Sequence, residues 1–100
     1  MNEQQMKNLL GLAQRARLLV SGTFKVCEEL KADRVKLLIV TTDASPATTE
    51  KFEKISSEKN LPLLKILTKE SLGQCLGKEF RSAAAVLDEG FTKKILESTR

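Results

Sequence analysis

Histidine, tryptophan and tyrosine are absent from this chain of 100 residues, which has only two cysteines, two prolines and four phenylalanines. Without histidine the commonest general acid–base side chain is missing, and without tryptophan and tyrosine so is much of the aromatic lining of ligand pockets. Both absences argue against an enzyme. Cys27 and Cys75 stand far apart and neither belongs to a CxxC pair, so zinc and dithiol redox chemistry are not suggested, and both are expected as reduced residues of the core. No metal or cofactor is expected. No apolar run approaches the ~18 residues of a membrane span, and MNEQQMKNLL carries no apolar stretch of signal-peptide length, so the expected location is the cytoplasm.

What is present is a basic balance and a periodic pattern. Lysine and arginine number 17 against 13 aspartates and glutamates, a formal net charge of +4. That excess leans toward a polyanionic partner, although mild basicity also serves solubility alone. One hundred residues make one domain, expected over 1–100, that buries roughly 65 % of the unfolded chain's surface.

The run Leu37, Leu38, Ile39, Val40 is apolar at every position, which fits a strand covered on both faces. After the polar Thr41, Thr42 and Asp43, Ser45 and Pro46 read as an N-cap followed by proline at the first helical position. Upstream, Met6, Leu9, Leu10, Ala13 and Ala16 mark the inward face of a helix over about 4–16. Leu18 to Val20 predict a short strand, and Thr23 to Lys31 a helix with Val26, Cys27 and Leu30 inward. Beyond Pro46 a third helix buries Phe52 and Ile55 and ends near Asn60. Leu63 to Leu67 predict a strand, Thr68 caps a short helix with Leu72, Cys75 and Leu76 inward, and Ala83 to Leu87 predict the last strand. Asp88 caps a final helix with Phe91, Ile95 and Leu96 inward. Strict alternation of helix and strand implies an α/β fold, a three-layer α/β/α sandwich around a mostly parallel sheet.

Three blocks carry a resemblance. SGTFKV, LLIVTTDASP and LGQCLGKEFRSAAAVLDEG, in this order and spacing, look like the matching parts of the kink-turn RNA-binding ribosomal protein superfamily. The likeness runs from Leu10 to about Leu96, and the ending AVLDEGFTKKIL most resembles the bacterial YlxQ-like branch. The resemblance implies a four-stranded mixed sheet and a small, ribosome-associated RNA-binding protein; apart from the resemblance, the chain is expected to be a monomer away from membranes. RNA would meet two segments, Gly22 to Glu28 at the start of the second helix and Lys78 to Ser82 before the last strand. The implied contact residues are Gly22, Thr23, Phe24, Lys25, Glu28, Lys78, Phe80, Arg81 and Ser82, with Lys69 and Arg34 extending the basic edge.

Physical chemistry supports part of that assignment. A helix start opened by glycine offers free N–H groups and a positive dipole end to an anion, although a tight strand-to-helix turn needs glycine with or without RNA. Typical kink-turn binders have Asn, Glu and Lys where this chain has Phe24, Lys25 and Glu28. Phe24 cannot hydrogen-bond a base edge, Lys25 only donates, and Glu28 repels phosphate, so kink-turn specificity is expected to be weakened. Phe24 and Phe80 either cover the core as most aromatics do or stand out to stack on an unpaired base. The alternative function is a protein-interaction module of the same fold.

Asp43, Asp88 and Glu89 are the acidic candidates for catalysis. Asp43 superficially resembles the phosphoacceptor of a receiver domain, but Ser21, Gly22 and Thr23 stand where such a domain has its acidic pair, so no Mg²⁺ site forms. Asp43 is expected in the turn or cap network before Pro46.

Overall fold

The structure is a computed structural model and describes residues 3–99. Its elements are α1 (Glu3–Arg15), β1 (Leu19–Ser21), α2 (Thr23–Lys31), β2 (Leu37–Val40), α3 (Pro46–Lys59), β3 (Leu63–Lys65), α4 (Lys69–Cys75), β4 (Ala83–Val86) and α5 (Glu89–Ser98). The strands form one sheet in the order β1-β4-β2-β3. Along β2, Leu37 and Ile39 face the layer of α1, α4 and α5, with Met6, Leu10, Leu72 and Ile95. Leu38 and Val40 face the layer of α2 and α3, with Val26, Leu30 and Phe52. Period-two alternation thus divides one apolar run between two cores, which is why no polar residue interrupts it. In β4 alanines do the same, Ala84 toward one core and Ala83 and Ala85 toward the other, and their small side chains let helices approach the sheet closely.

The three-layer sandwich is present with a mixed sheet, as the resemblance implies; the mostly parallel sheet expected from strict alternation is not. Only β2 and β3 pair in parallel, while β4 lies antiparallel between β1 and β2. The cause is the short α4, whose seven residues cover about 10 Å. Residues 77–82 then bring the chain back to the end where α4 began, so β4 enters from that end and runs against its neighbours. Because β1, β2 and β3 share a direction, α2, α3 and α4 all start at this same end of the sheet.

The helix ends follow their residues. Ser45 Oγ accepts from the Thr48 N–H at 3.2 Å, Thr68 Oγ1 from Ser71 at 3.1 Å, and Asp88 Oδ2 from Phe91 at 2.8 Å. Asn60 ends α3 in the left-handed region. Ala16, expected inward, is exposed because α1 stops one residue earlier. The third strand is shorter than expected: Leu67 takes a positive φ of 63°, which ends the extended chain. Its carbonyl accepts from both the N–H and the hydroxyl of Thr42, at 2.9 and 3.0 Å, which offsets the cost of that conformation. Cys27 and Cys75 are free and half-buried, not fully in the core. Burial raises the Cys75 thiol's pKa, with the charge of Lys7 pulling against it. No helix among the described residues is long and apolar enough to cross a membrane.

Candidate nucleic-acid interface

A groove of about 530 Å³ opens at the sheet end where α2, α3 and α4 begin, and follows the outer edge of β1. One wall is the start of α2, with Gly22, Thr23, Phe24 and Lys25; the other holds Lys78, Phe80, Arg81 and Ser82. Two segments more than fifty residues apart meet because β4 is hydrogen-bonded next to β1, so the chain entering β4 arrives beside the chain leaving β1. Of the residues picked out in sequence, Glu28 does not line the groove and stands exposed farther along α2. Lys69 lies at this end of the sheet. Arg34 does not: it precedes β2 at the opposite end, where its guanidinium makes two hydrogen bonds to Glu29, at 2.9 and 3.0 Å.

Gly22 has a φ of +93°, a region that side chains other than glycine rarely enter, and it caps α2 without any side-chain cap. Its N–H donates to the Ala83 carbonyl at 3.0 Å, binding the turn to β4. The first turn of α2 therefore stands at the groove with no side-chain cap on its N–H groups, and the positive end of the helix dipole lies there too.

The facing wall is clamped from three sides. The Arg81 N–H donates to the Lys69 carbonyl at 3.2 Å, the Ser82 carbonyl accepts from Thr41 at 2.9 Å, and the Lys78 N–H donates to Gly73 at 2.8 Å. Arg81 Nη1 also donates to the Phe80 carbonyl at 3.0 Å, and its side chain lies against Gly22, with Nε 3.9 Å from where a Cβ would stand. Arg81 thus bridges both walls. Behind it, Asp43 sits in the turn after β2, one of the two expected places for it, and accepts from the Lys69 N–H at 2.9 Å, tying that turn to α4, while the cap before Pro46 is supplied by Ser45. Desolvation pushes the Asp43 carboxyl up, but the Lys69 N–H, the Thr41 hydroxyl and its own backbone N–H, with the charge of Lys69 last, together outweigh it and leave the pKa below its usual value. Asp88 caps α5 at the other end of the sheet, so these two acidic candidates do not converge.

Both aromatics of the groove stand out, Phe24 at 75 % and Phe80 at 69 % exposure, and neither covers the core. Lys25, Lys78 and Arg81 form no ion pair with a described residue; the pairs present among the described residues are Lys7–Glu3, Arg34–Glu29, Lys59–Asp33 and Lys65–Glu53. No described carboxylate lines the groove. Sequence reasoning missed Gln14, Leu19, Val20 and Ser21, which complete the lining. They join it because β1 is an edge strand, a property of strand order with no signal in the residues themselves.

Fold and groove together define a small mixed-sheet α/β/α protein with a cationic, aromatic-edged cleft at one end of its sheet. The chain belongs to the ribosomal protein L7Ae/L30e/S12e/Gadd45 family, whose model matches residues 4–96. It is 41 % identical over 88 residues to the RNA-binding protein YlxQ of Bacillus subtilis, covering 88 % of each chain. It is 32 % identical over 96 residues to the RNA-binding protein YlxQ of Enterococcus faecium, covering 96 % of this chain and 92 % of the relative. Among solved structures, a Bacillus halodurans protein of unknown function superposes with a TM-score of 0.84 at 31 % identity, over 92 % of this chain and 93 % of the other. The Giardia lamblia 15.5kD RNA binding protein, at 16 % identity and a TM-score of 0.79 over 95 % of this chain and 82 % of its own, shares the fold.

Proposed function

We propose that this chain is a small RNA-binding protein that holds structured RNA, ribosomal RNA among the candidates, in the groove between the start of α2 and residues 78–82. The observation that carries this reading is the cluster of Lys25, Lys78 and Arg81 in one cleft, unpaired and with no described carboxylate lining it. A pocket of that make-up attracts phosphate, and the uncapped N–H groups of α2 add neutral donors for phosphate oxygens. The RNA-binding names of relatives that share most of the chain support it. In this reading Gly22 and Thr23 bring the backbone close to the RNA, Lys25, Lys78 and Arg81 meet phosphates, and Ser82 offers a hydroxyl. Glu28 lies outside the contact.

The two exposed phenylalanines favour a second reading, an apolar docking patch for another protein. Salt separates the readings. Neutralising three phosphates should give a log–log slope of roughly −2 for single-stranded RNA, whereas an apolar protein contact weakens little with salt. The test is titration of a labelled RNA hairpin with an open loop by wild type and by the double variant Lys25→Ala, Arg81→Ala, at several salt concentrations. A wild-type slope near zero, or equal affinities for the two proteins, would sink the RNA reading in favour of the protein patch.

A further inference from the structure

The groove's chemistry says more than that RNA binds; it says which part of an RNA fits. Of the three large hydrophobic side chains that stand exposed among the described residues, Leu12, Phe24 and Phe80, two are the phenylalanines of this one cleft. The other two phenylalanines are used conventionally, Phe52 fully buried and Phe91 half-buried. The exposed pair gains little from packing, and each stands largely in solvent beside unpaired cations. What would cover a ring in such a place must itself be flat, apolar on its faces and attached to negative charge. A nucleobase on its phosphate backbone meets all three conditions.

We infer that, within the RNA-binding reading, the ligand of this groove is a short unpaired run of nucleotides whose bases stack on Phe24 and Phe80 while Lys25, Lys78 and Arg81 hold the flanking phosphates. Three observations select unpaired bases over a duplex. A volume of about 530 Å³ lies within the range of ~300–1,000 Å³ typical of small-ligand pockets and suits one or two nucleotides, not the broad face of a helix. In a duplex the base faces are already stacked, so the two rings would stay exposed. The charged groups of the groove are lysine and arginine, which donate only; acceptors for base amino groups are limited to hydroxyls such as Thr23 and Ser82 and to backbone and amide oxygens. Such a site reads faces and phosphates more than base edges. It should therefore tolerate sequence and prefer purines to pyrimidines through their larger stacking area.

Arg81 sets the geometry. Its guanidinium donates to the Phe80 carbonyl and its side chain rests against Gly22, so the ring on one wall is tied to the turn that carries the ring on the other.

The experiment uses four labelled RNAs at one salt concentration: a ten-nucleotide oligoadenylate, a ten-nucleotide oligouridylate, a blunt duplex of equal length and a kink-turn with sheared guanine–adenine pairs. Wild type is compared with Phe24→Leu and Phe80→Leu, which keep apolar bulk and lose the π face; both sites are exposed, and matching melting temperatures confirm folding. Wild type is expected to bind oligoadenylate at least tenfold more tightly than the duplex, with oligouridylate between. Each leucine variant should bind oligoadenylate about tenfold more weakly, with the salt slope unchanged because every phosphate-binding cation is kept. Preference for the duplex or the kink-turn, or leucine variants that bind as wild type does, overturns the inference. If Lys25→Ala and Arg81→Ala weaken RNA binding while both leucine variants do not, this inference falls alone. If wild type binds none of the four RNAs, the RNA-binding reading falls and this goes with it.

Discussion

Two clusters of cations, one at each end of the sheet, are handled in opposite ways. At the end opposite the groove, Arg34 is held by Glu29, and Lys59 Nζ lies 2.6 Å from Asp33, whose pKa is lowered by the hydrogen bond and the charge of that lysine. At the groove end, Lys25, Lys78 and Arg81 have no carboxylate partner among the described residues, and two phenylalanines stand exposed beside them. Exposed ion pairs contribute little to stability, so the pairing at the far end is not what holds the fold. Its effect is to cancel two cations locally, whereas the three cations of the groove are left without a carboxylate of their own. A net charge of +4 says little by itself; its distribution says where an anion would go.

The strongest way to break this contrast is to remove the wall that creates it. A Cβ on Gly73 would stand 1.7 Å from the Glu79 carbonyl oxygen, which belongs to the backbone and cannot swing away. Gly73→Ala should therefore cost about 3 kcal/mol, a drop in melting temperature of roughly 12 °C or more, and should abolish RNA binding with it. At the far end, Gly90→Ala meets only a side-chain oxygen, the Asp88 Oδ2 that caps α5, at 3.1 Å, and a few tenths of an ångström of adjustment in that cap should cost about 1 kcal/mol. Thermal melts of both variants decide the point, and equal shifts would show that residues 77–82 are not clamped by α4.

The charge itself is tested next. Lys25→Ala with Arg81→Ala should weaken RNA binding about a hundredfold, roughly tenfold for each cation removed from the groove. Arg34→Ala with Lys36→Ala removes the same charge at the other end and should change affinity far less. Equal weakening in a titration at fixed salt would mean that net charge and not the groove governs binding.

Much of the fold was legible in the chain and part could not be. The buried run at β2, the caps Ser45, Thr68 and Asp88 and the end of α3 at Asn60 are local events, written in residues that touch one another. The direction of β4 is not local. It depends on how far α4 travels before the chain turns back, which hydrophobic pattern does not encode; the resemblance supplied the mixed sheet where alternation missed it. Asp43 is legible as a turn residue after β2 because Asp favours such turns, but its bond to the Lys69 N–H spans 26 positions and is reachable only once β2 and β3 have paired. For the site, cations and aromatics could be named from the chain, while Gln14 and the β1 edge could not, since strand order decides what lies beside them. Exposure of Phe24 and Phe80 was equally undecidable from sequence, because covering the core and standing out require the same residue.

A smaller effect sharpens the specificity of the groove. The change Phe24→Asn, Lys25→Glu, Glu28→Lys installs the residues of typical kink-turn binders and leaves the net charge unchanged. It should tighten binding to a kink-turn at least about tenfold over a duplex lacking the guanine–adenine pairs, since each recovered hydrogen bond to a base edge contributes about 1–3 kcal/mol. Glu28 lies outside the groove lining, so most of the gain should come from positions 24 and 25. Measured at one salt concentration, an unchanged preference in a normally folded triple variant would show that the wall at residues 78–82 excludes the kink-turn.

The smallest effect contrasts two carboxylates, one at each end. Asp33 and Asp43 both have lowered pKa values, the first through Lys59, the second because hydrogen bonds from the Lys69 N–H, Thr41 and its own N–H, with the charge of Lys69, outweigh a desolvation that acts the other way. A carboxyl with a depressed folded pKa stabilises the fold above its unfolded pKa of about 3.9, and that contribution disappears as pH falls through the lower folded value. Asp33→Asn and Asp43→Asn should each melt slightly below wild type at pH 6, with the gap closing below about pH 4. Their consequences for the groove should differ. Asp43 holds the Lys69 N–H, and the Lys69 carbonyl in turn accepts from Arg81, so the substitution loosens a support of the cation that bridges both walls. RNA affinity at pH 6 should fall by less than about threefold in Asp43→Asn and not at all in Asp33→Asn, where only an exposed ion pair is removed. Melting curves across pH 2.5 to 7 and RNA titrations at pH 6 read the two effects separately. If both variants weaken RNA binding alike, the support reaches the groove through the sheet as a whole, and the division between its two ends is not as sharp as the placement of charges makes it.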